Sequence, residues 1–74
     1  MPKTVSGIEA VKFLCRHGFD IYSRKGSHVK LVSLERHAKA IVPMHRELSR
    51  GTLNSILRQA KLSDGEISEL LGGR

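Results

Sequence analysis

Apolar positions along the chain change period twice, and the changes mark its elements. Ser6 followed by Glu9 forms a capping box, with Val5 and Ala10 placed for a hydrophobic staple, so a helix is predicted to start there. On a helical projection Ile8, Ala10, Val11, Leu14 and Cys15 fall on one arc, opposite Glu9, Lys12 and Arg16, and Gly18 supplies the stop. From Phe19 the period becomes two: Phe19, Ile21 and Ser23 oppose Asp20, Tyr22 and Arg24. Lys25-Gly26-Ser27 is a turn signal, after which His28 to Leu34 resumes extension with Val29 and Leu31 opposing His28, Lys30 and Val32. Glu35-Arg36-His37 breaks the pattern, and Lys39 to Val42 reads as a third strand that Pro43 ends or places at an edge. Met44 to Leu48 is a loop. Ser49 then caps a helix with Leu53, Ile56, Leu57 and Ala60 at core spacing. Ser63 with Glu66 is a second capping box, leading to Ile67, Leu70 and Leu71 before Gly72-Gly73 ends the chain's last helix.

This order predicts an α+β fold, α-β-β-β-α plus a short C-terminal helix, with a three-stranded antiparallel sheet and helices packed on one face. Residues 1–74 are expected to form a single domain, since a chain this short buries only about 60% of its unfolded surface. A site should therefore lie on an open face, which suits a polymeric substrate. Strict alternation from the apolar positions sends Tyr22, Arg24, His28, Lys30 and Lys39 outward together, and this basic face is the expected binding surface.

Charge sharpens the picture. Thirteen Lys and Arg against seven Asp and Glu give a net charge of +6, which favours a polyanionic partner or, more simply, a soluble surface. A single cysteine, Cys15, on the apolar helix arc, excludes an internal disulfide framework and a Cys-based zinc site. The start, Met1 to Gly7, lacks the apolar run of a signal peptide, and no stretch approaches the roughly 18 apolar residues of a spanning helix. A cytoplasmic protein without membrane attachment, metal or cofactor is expected, and nothing matches a phosphate-cradling glycine loop, a paired-His metal helix or a nucleophile elbow.

The four histidines remain. RNA carries its own nucleophile in the 2′-hydroxyl, so its cleavage needs a base for that proton, an acid for the leaving oxygen and cations for the phosphate. His28 follows Gly26-Ser27 at the start of the second strand, with Lys25 before it and Lys30 on its own face. Spacing alone also fits an ordinary edge-strand histidine.

The ordered set Gly18-Phe19, Gly26-Ser27-His28, Val42-Pro43-Met44-His45, and Gly51-Thr52-Leu53 through Ile56-Leu57-Arg58-Gln59-Ala60 resembles the HicA mRNA interferase family, over Ser6 to Leu71. The resemblance implies a double-stranded-RNA-binding-domain-like fold, a ribonuclease toxin that blocks translation, and neutralisation by a HicB-type antitoxin covering the active site. It also makes His28 the catalytic residue. Val29-Lys30-Leu31 stands where many relatives carry an aromatic or second histidine, which leaves the base-stacking preference open. Tyr22 is a candidate for stacking on a base, Arg24, Lys25, Lys30 and Lys39 for phosphate contacts, and Ser27 for RNA binding within the Gly-Ser-His motif. His45, after the third strand, is a secondary candidate; His17 and His37 read as structural or solvated.

Two other functions fit parts of the pattern. A noncatalytic RNA-binding module would use the same basic face. A helix-turn-helix DNA reader is suggested by the two helices flanking Ala60 to Ser63, but the second would carry Asp64, Glu66 and Glu69 and no Lys or Arg into the groove.

Overall fold

The computed structural model describes residues 4–72. Met1 to Lys3, and Gly73 of the expected terminal stop, lie outside the described residues. The elements are α1 (Gly7–Arg16), β1 (Asp20–Lys25), β2 (His28–Ser33), β3 (Ala38–Pro43), α2 (Arg50–Gln59) and α3 (Asp64–Gly72). The strands form one antiparallel sheet in the order β1-β2-β3. This is the α-β-β-β-α arrangement that the periodicity predicts.

Both halves of the α1 capping box form: Ser6 Oγ accepts the Glu9 N–H at 3.0 Å, and Glu9 Oε1 accepts the Ser6 N–H at 2.9 Å. The helix ends where Gly18 takes φ +92°, a conformation that glycine adopts without steric penalty. Its buried side differs from the expected arc. Ala10, Val11, Phe13 and Leu14 are buried, whereas Ile8 and Cys15 are exposed. Phe13 carries the largest apolar surface on the helix, and burying it turns Ile8 and Cys15 toward solvent. The N-terminus of α1 also packs directly on backbone, since a Cβ at Gly7 would stand 2.3 Å from the Pro43 carbonyl oxygen.

Val29 and Leu31 of β2 and Ala38, Ala40 and Val42 of β3 are buried on the helix side of the sheet. Gly26, at φ +58°, opens a two-residue turn between Lys25 and His28, the glycine-first pattern of a type II′ hairpin. At the second hairpin His37 adopts φ +55°, and the Arg36 N–H bonds to the buried Ser33 Oγ at 3.2 Å. The outer edge of β3 is partly capped from α2, where Gln59 Oε1 accepts the Ile41 N–H at 3.1 Å. Helix α2 buries Leu53, Ile56 and Leu57.

Helix α3 is fastened by a polar cluster. Ser63 and Glu66 form the predicted capping box. Glu66 also accepts two hydrogen bonds from the Arg36 guanidinium, one at 3.0 Å, and meets His17 Nδ1 at 3.1 Å. Arg36 reaches further to the His17 carbonyl at 3.3 Å and lies over the Phe19 ring. One arginine from the second hairpin thus joins the end of α1 to the start of α3. The Arg36 hydrogen bonds, followed by those from Ser63, lower the Glu66 pKa from its ordinary 4.5 to about 2.

A carboxyl group with a depressed folded-state pKa contributes stability that is complete above about pH 4.5 and lost as pH falls toward about 2. Urea denaturation of the native chain and a Glu66→Gln variant should show a stability gap at pH 7 that narrows progressively below pH 4.5; a gap independent of pH would show that the ionised carboxylate is not its source.

Candidate nucleic-acid interface

The face of the sheet away from the helices is built by strand register. Paired residues share a face, and the pairs on the open side are Lys25 with His28, Ser23 with Lys30, Asp20 with Val32, Lys30 with Ile41, Val32 with Lys39, and His28 with Pro43, so one carboxylate, Asp20, stands on this face at the end remote from His28. Directly opposed side chains in an antiparallel pair have Cβ atoms about 4.5–5.5 Å apart, and same-face neighbours along a strand are spaced by roughly 6.6 Å. His28 therefore has one lysine across from it and another next along its own strand. His28 and Lys25 are exposed, and Lys30 is half-buried by its neighbours.

The expected set is not all on this face. The register shifts between Ile21 and Ser23, a bulge that leaves Tyr22 out of the ladder. Beyond it every β1 side chain changes sides relative to strict alternation. Arg24 pairs with buried Val29 and so lies on the helix side, correcting the expectation that it stands beside His28. Lys25 and Ser23 take the open face instead. Ser23 was not anticipated, because no residue in Ile21-Tyr22-Ser23 marks a bulge in the way that glycine often does. Tyr22 is exposed at the irregularity, and Lys39 occupies the far end of the open face.

The turn carrying His28 is anchored. Ser27 is exposed, but its carbonyl accepts the Met44 N–H at 2.6 Å, and the next residue's carbonyl, that of His45, accepts the Gly7 N–H at 2.8 Å. His45 is exposed on this pinned loop. His17 stacks on Phe13, with ring centroids 4.3 Å apart, and bonds to Glu66, while the His37 carbonyl accepts from Lys61 Nζ at 3.0 Å. His17 is thus structural, whereas the His37 side chain is exposed to solvent and only its backbone is engaged, in line with the expectation that the two are structural or solvated. The Arg36–Glu66 pair escaped the sequence reading because its partners are 30 residues apart.

The helix-turn-helix reading loses its recognition helix here, since Glu66 and Glu69 of α3 face Arg36 and His17. Among the described residues no three His, Cys, Asp or Glu side chains gather as a metal-ligand group, and no helix is long and apolar enough to cross a membrane.

Residues 7–62 match the family described as the HicA toxin of bacterial toxin–antitoxin systems. The chain belongs to the HicA toxin family. It is thus the toxin member of such a pair, and the family implies a HicB-type antitoxin as its partner. No curated protein matches the chain. The HicA match contains α1, the whole sheet and α2, and it ends before α3.

Because the exposed His28 ring is not part of the core, its removal should leave the HicA fold intact. His28→Ala is expected to shift unfolding free energy by no more than about 0.5 kcal/mol, measured from the urea midpoint; a loss of several times that would give the ring a structural role.

Proposed function

We propose that this toxin is an endoribonuclease that cuts mRNA without a metal, with His28 as its proton-transfer group. The observation that carries the reading is the placement of His28 on the exposed sheet face, opposite Lys25 and beside Lys30. An RNA strand laid across this face would bring its phosphates to the lysines and a ribose to the imidazole.

In the proposed reaction His28 takes the 2′-hydroxyl proton, the 2′-oxygen bonds to phosphorus, and the bond from phosphorus to the 5′-oxygen breaks as that oxygen gains a proton. The products are a 2′,3′-cyclic phosphate and a 5′-hydroxyl end. Lys25 and Lys30 are placed to offset the charge that builds on the phosphorane oxygens. Lys25 takes the role that strict alternation would give to Arg24. Lys39 and Tyr22 extend the surface, one as a phosphate contact and the other as a stacking group, and His45 is a secondary candidate from the neighbouring loop.

Incubation of the purified toxin with single-stranded RNA in EDTA tests the reading. Cleavage should persist in chelator, yield cyclic phosphate ends, and fall by about 10²- to 10⁴-fold in His28→Ala. Free 3′-hydroxyl ends or an undiminished variant would reject it, and tight binding without fragments would favour a noncatalytic RNA-binding module.

Salt dependence gives a second check. Lys25→Ala should weaken RNA binding and reduce the slope of log affinity against log salt by about one, through the loss of one phosphate contact. An unchanged slope would remove Lys25 from the interface.

A further inference from the structure

The helix side of the sheet is not wholly covered. Between α1 and the β1–β2 hairpin runs a groove of about 430 Å³, with Ile8, Val11, Val29 and Met44 among its lining and the cations Lys12 and Arg24 beside them. Its lining contains no acidic residue. Ile8 is 55% exposed, and Ile21, which pairs with Leu31 and so faces the helix side, is 42% exposed. These side chains belong to the chain's apolar pattern, yet this fold leaves them in water.

Alongside lies β1, an edge strand of the sheet, whose outer N–H and C=O groups have no strand partner among the described residues. The three features together select an occupant. The aliphatic and thioether lining calls for apolar side chains, the two cations call for carboxylates, and a strand edge calls for a backbone that both donates and accepts hydrogen bonds. A phosphodiester backbone only accepts at its phosphates, and among the lining residues there is no aromatic ring on which a base would stack. A peptide meets all three demands.

We infer that this groove, with the free edge of β1, is a docking site for an extended segment of the antitoxin that carries apolar and acidic side chains. It lies on the side of the sheet opposite His28. The inference rests on membership of a toxin–antitoxin family, not on the nuclease reading, and its test can fail independently of that reading.

The test uses Ile8→Asp and Lys12→Glu, singly and combined, both at exposed positions on α1 away from the His28 face. Circular dichroism and the urea midpoint establish that each variant is folded. Calorimetry with the purified HicB-type antitoxin should then show binding weakened at least about tenfold by each change, and growth arrest by the double variant should resist co-expressed antitoxin that silences the native toxin. Unchanged antitoxin affinity in the double variant would overturn the assignment. So would weakened RNA binding with antitoxin affinity intact, which would give the groove to nucleic acid. If the toxin proves not to cut RNA at all, the calorimetry still decides whether the groove binds its partner.

Discussion

Burial of Val29, Leu31 and Val42 against the helices holds the opposite face of the sheet in register. Side chains alternate along a strand, so a slip of one residue would place His28 and Lys30 beneath the helices and expose Val29 and Leu31. The energy of apolar burial, about 25 cal/mol per Å² removed from water, therefore opposes every arrangement in which the histidine leaves the surface. A core with no chemistry of its own decides where the reactive group stands.

The basic residues divide between internal and external work. Arg36 is committed to Glu66 and to the His17 carbonyl, and Lys61 bonds to the His37 carbonyl, so both serve to fasten α3 and the second hairpin. Arg24 and Lys12 belong to the groove on the helix side. Lys25, Lys30 and Lys39 remain on the open face. A net charge of +6 thus overstates the positive charge that any one surface presents.

Most of the fold was legible in the sequence because each element has local signals: two capping boxes, Gly18, the Gly26 turn and the period-two runs. The β3 limit at Pro43 follows from its missing N–H. Two errors share one cause, that a neighbour in space outweighed a pattern in sequence. The wide apolar arc of α1 includes Ile8 and Cys15, but Phe13 determines which side is buried. Alternation along β1 fails at Tyr22, where the bulge answers to strand pairing and exchanges Arg24 for Lys25 beside His28. The position of His28 itself was readable, since the turn before it and the apolar residues after it fix its face. The groove was not, because it is bounded by α1, the first hairpin and Met44, which only the tertiary arrangement brings together.

The loop after β3 ties together parts of the chain that are remote in sequence. Successive backbone bonds run from Met44 to Ser27, from Gly7 to the His45 carbonyl, and from Leu48 to the Val5 carbonyl. They work like a splint laid across the hairpin tip and the first turn of α1. The hairpin tip of a small sheet is ordinarily where a strand frays, yet here the tip is braced from outside its own strands. The backbone that carries the neighbouring imidazole is consequently held by the whole fold and not by a loose turn, a useful property in a molecule with so little mass behind its working surface.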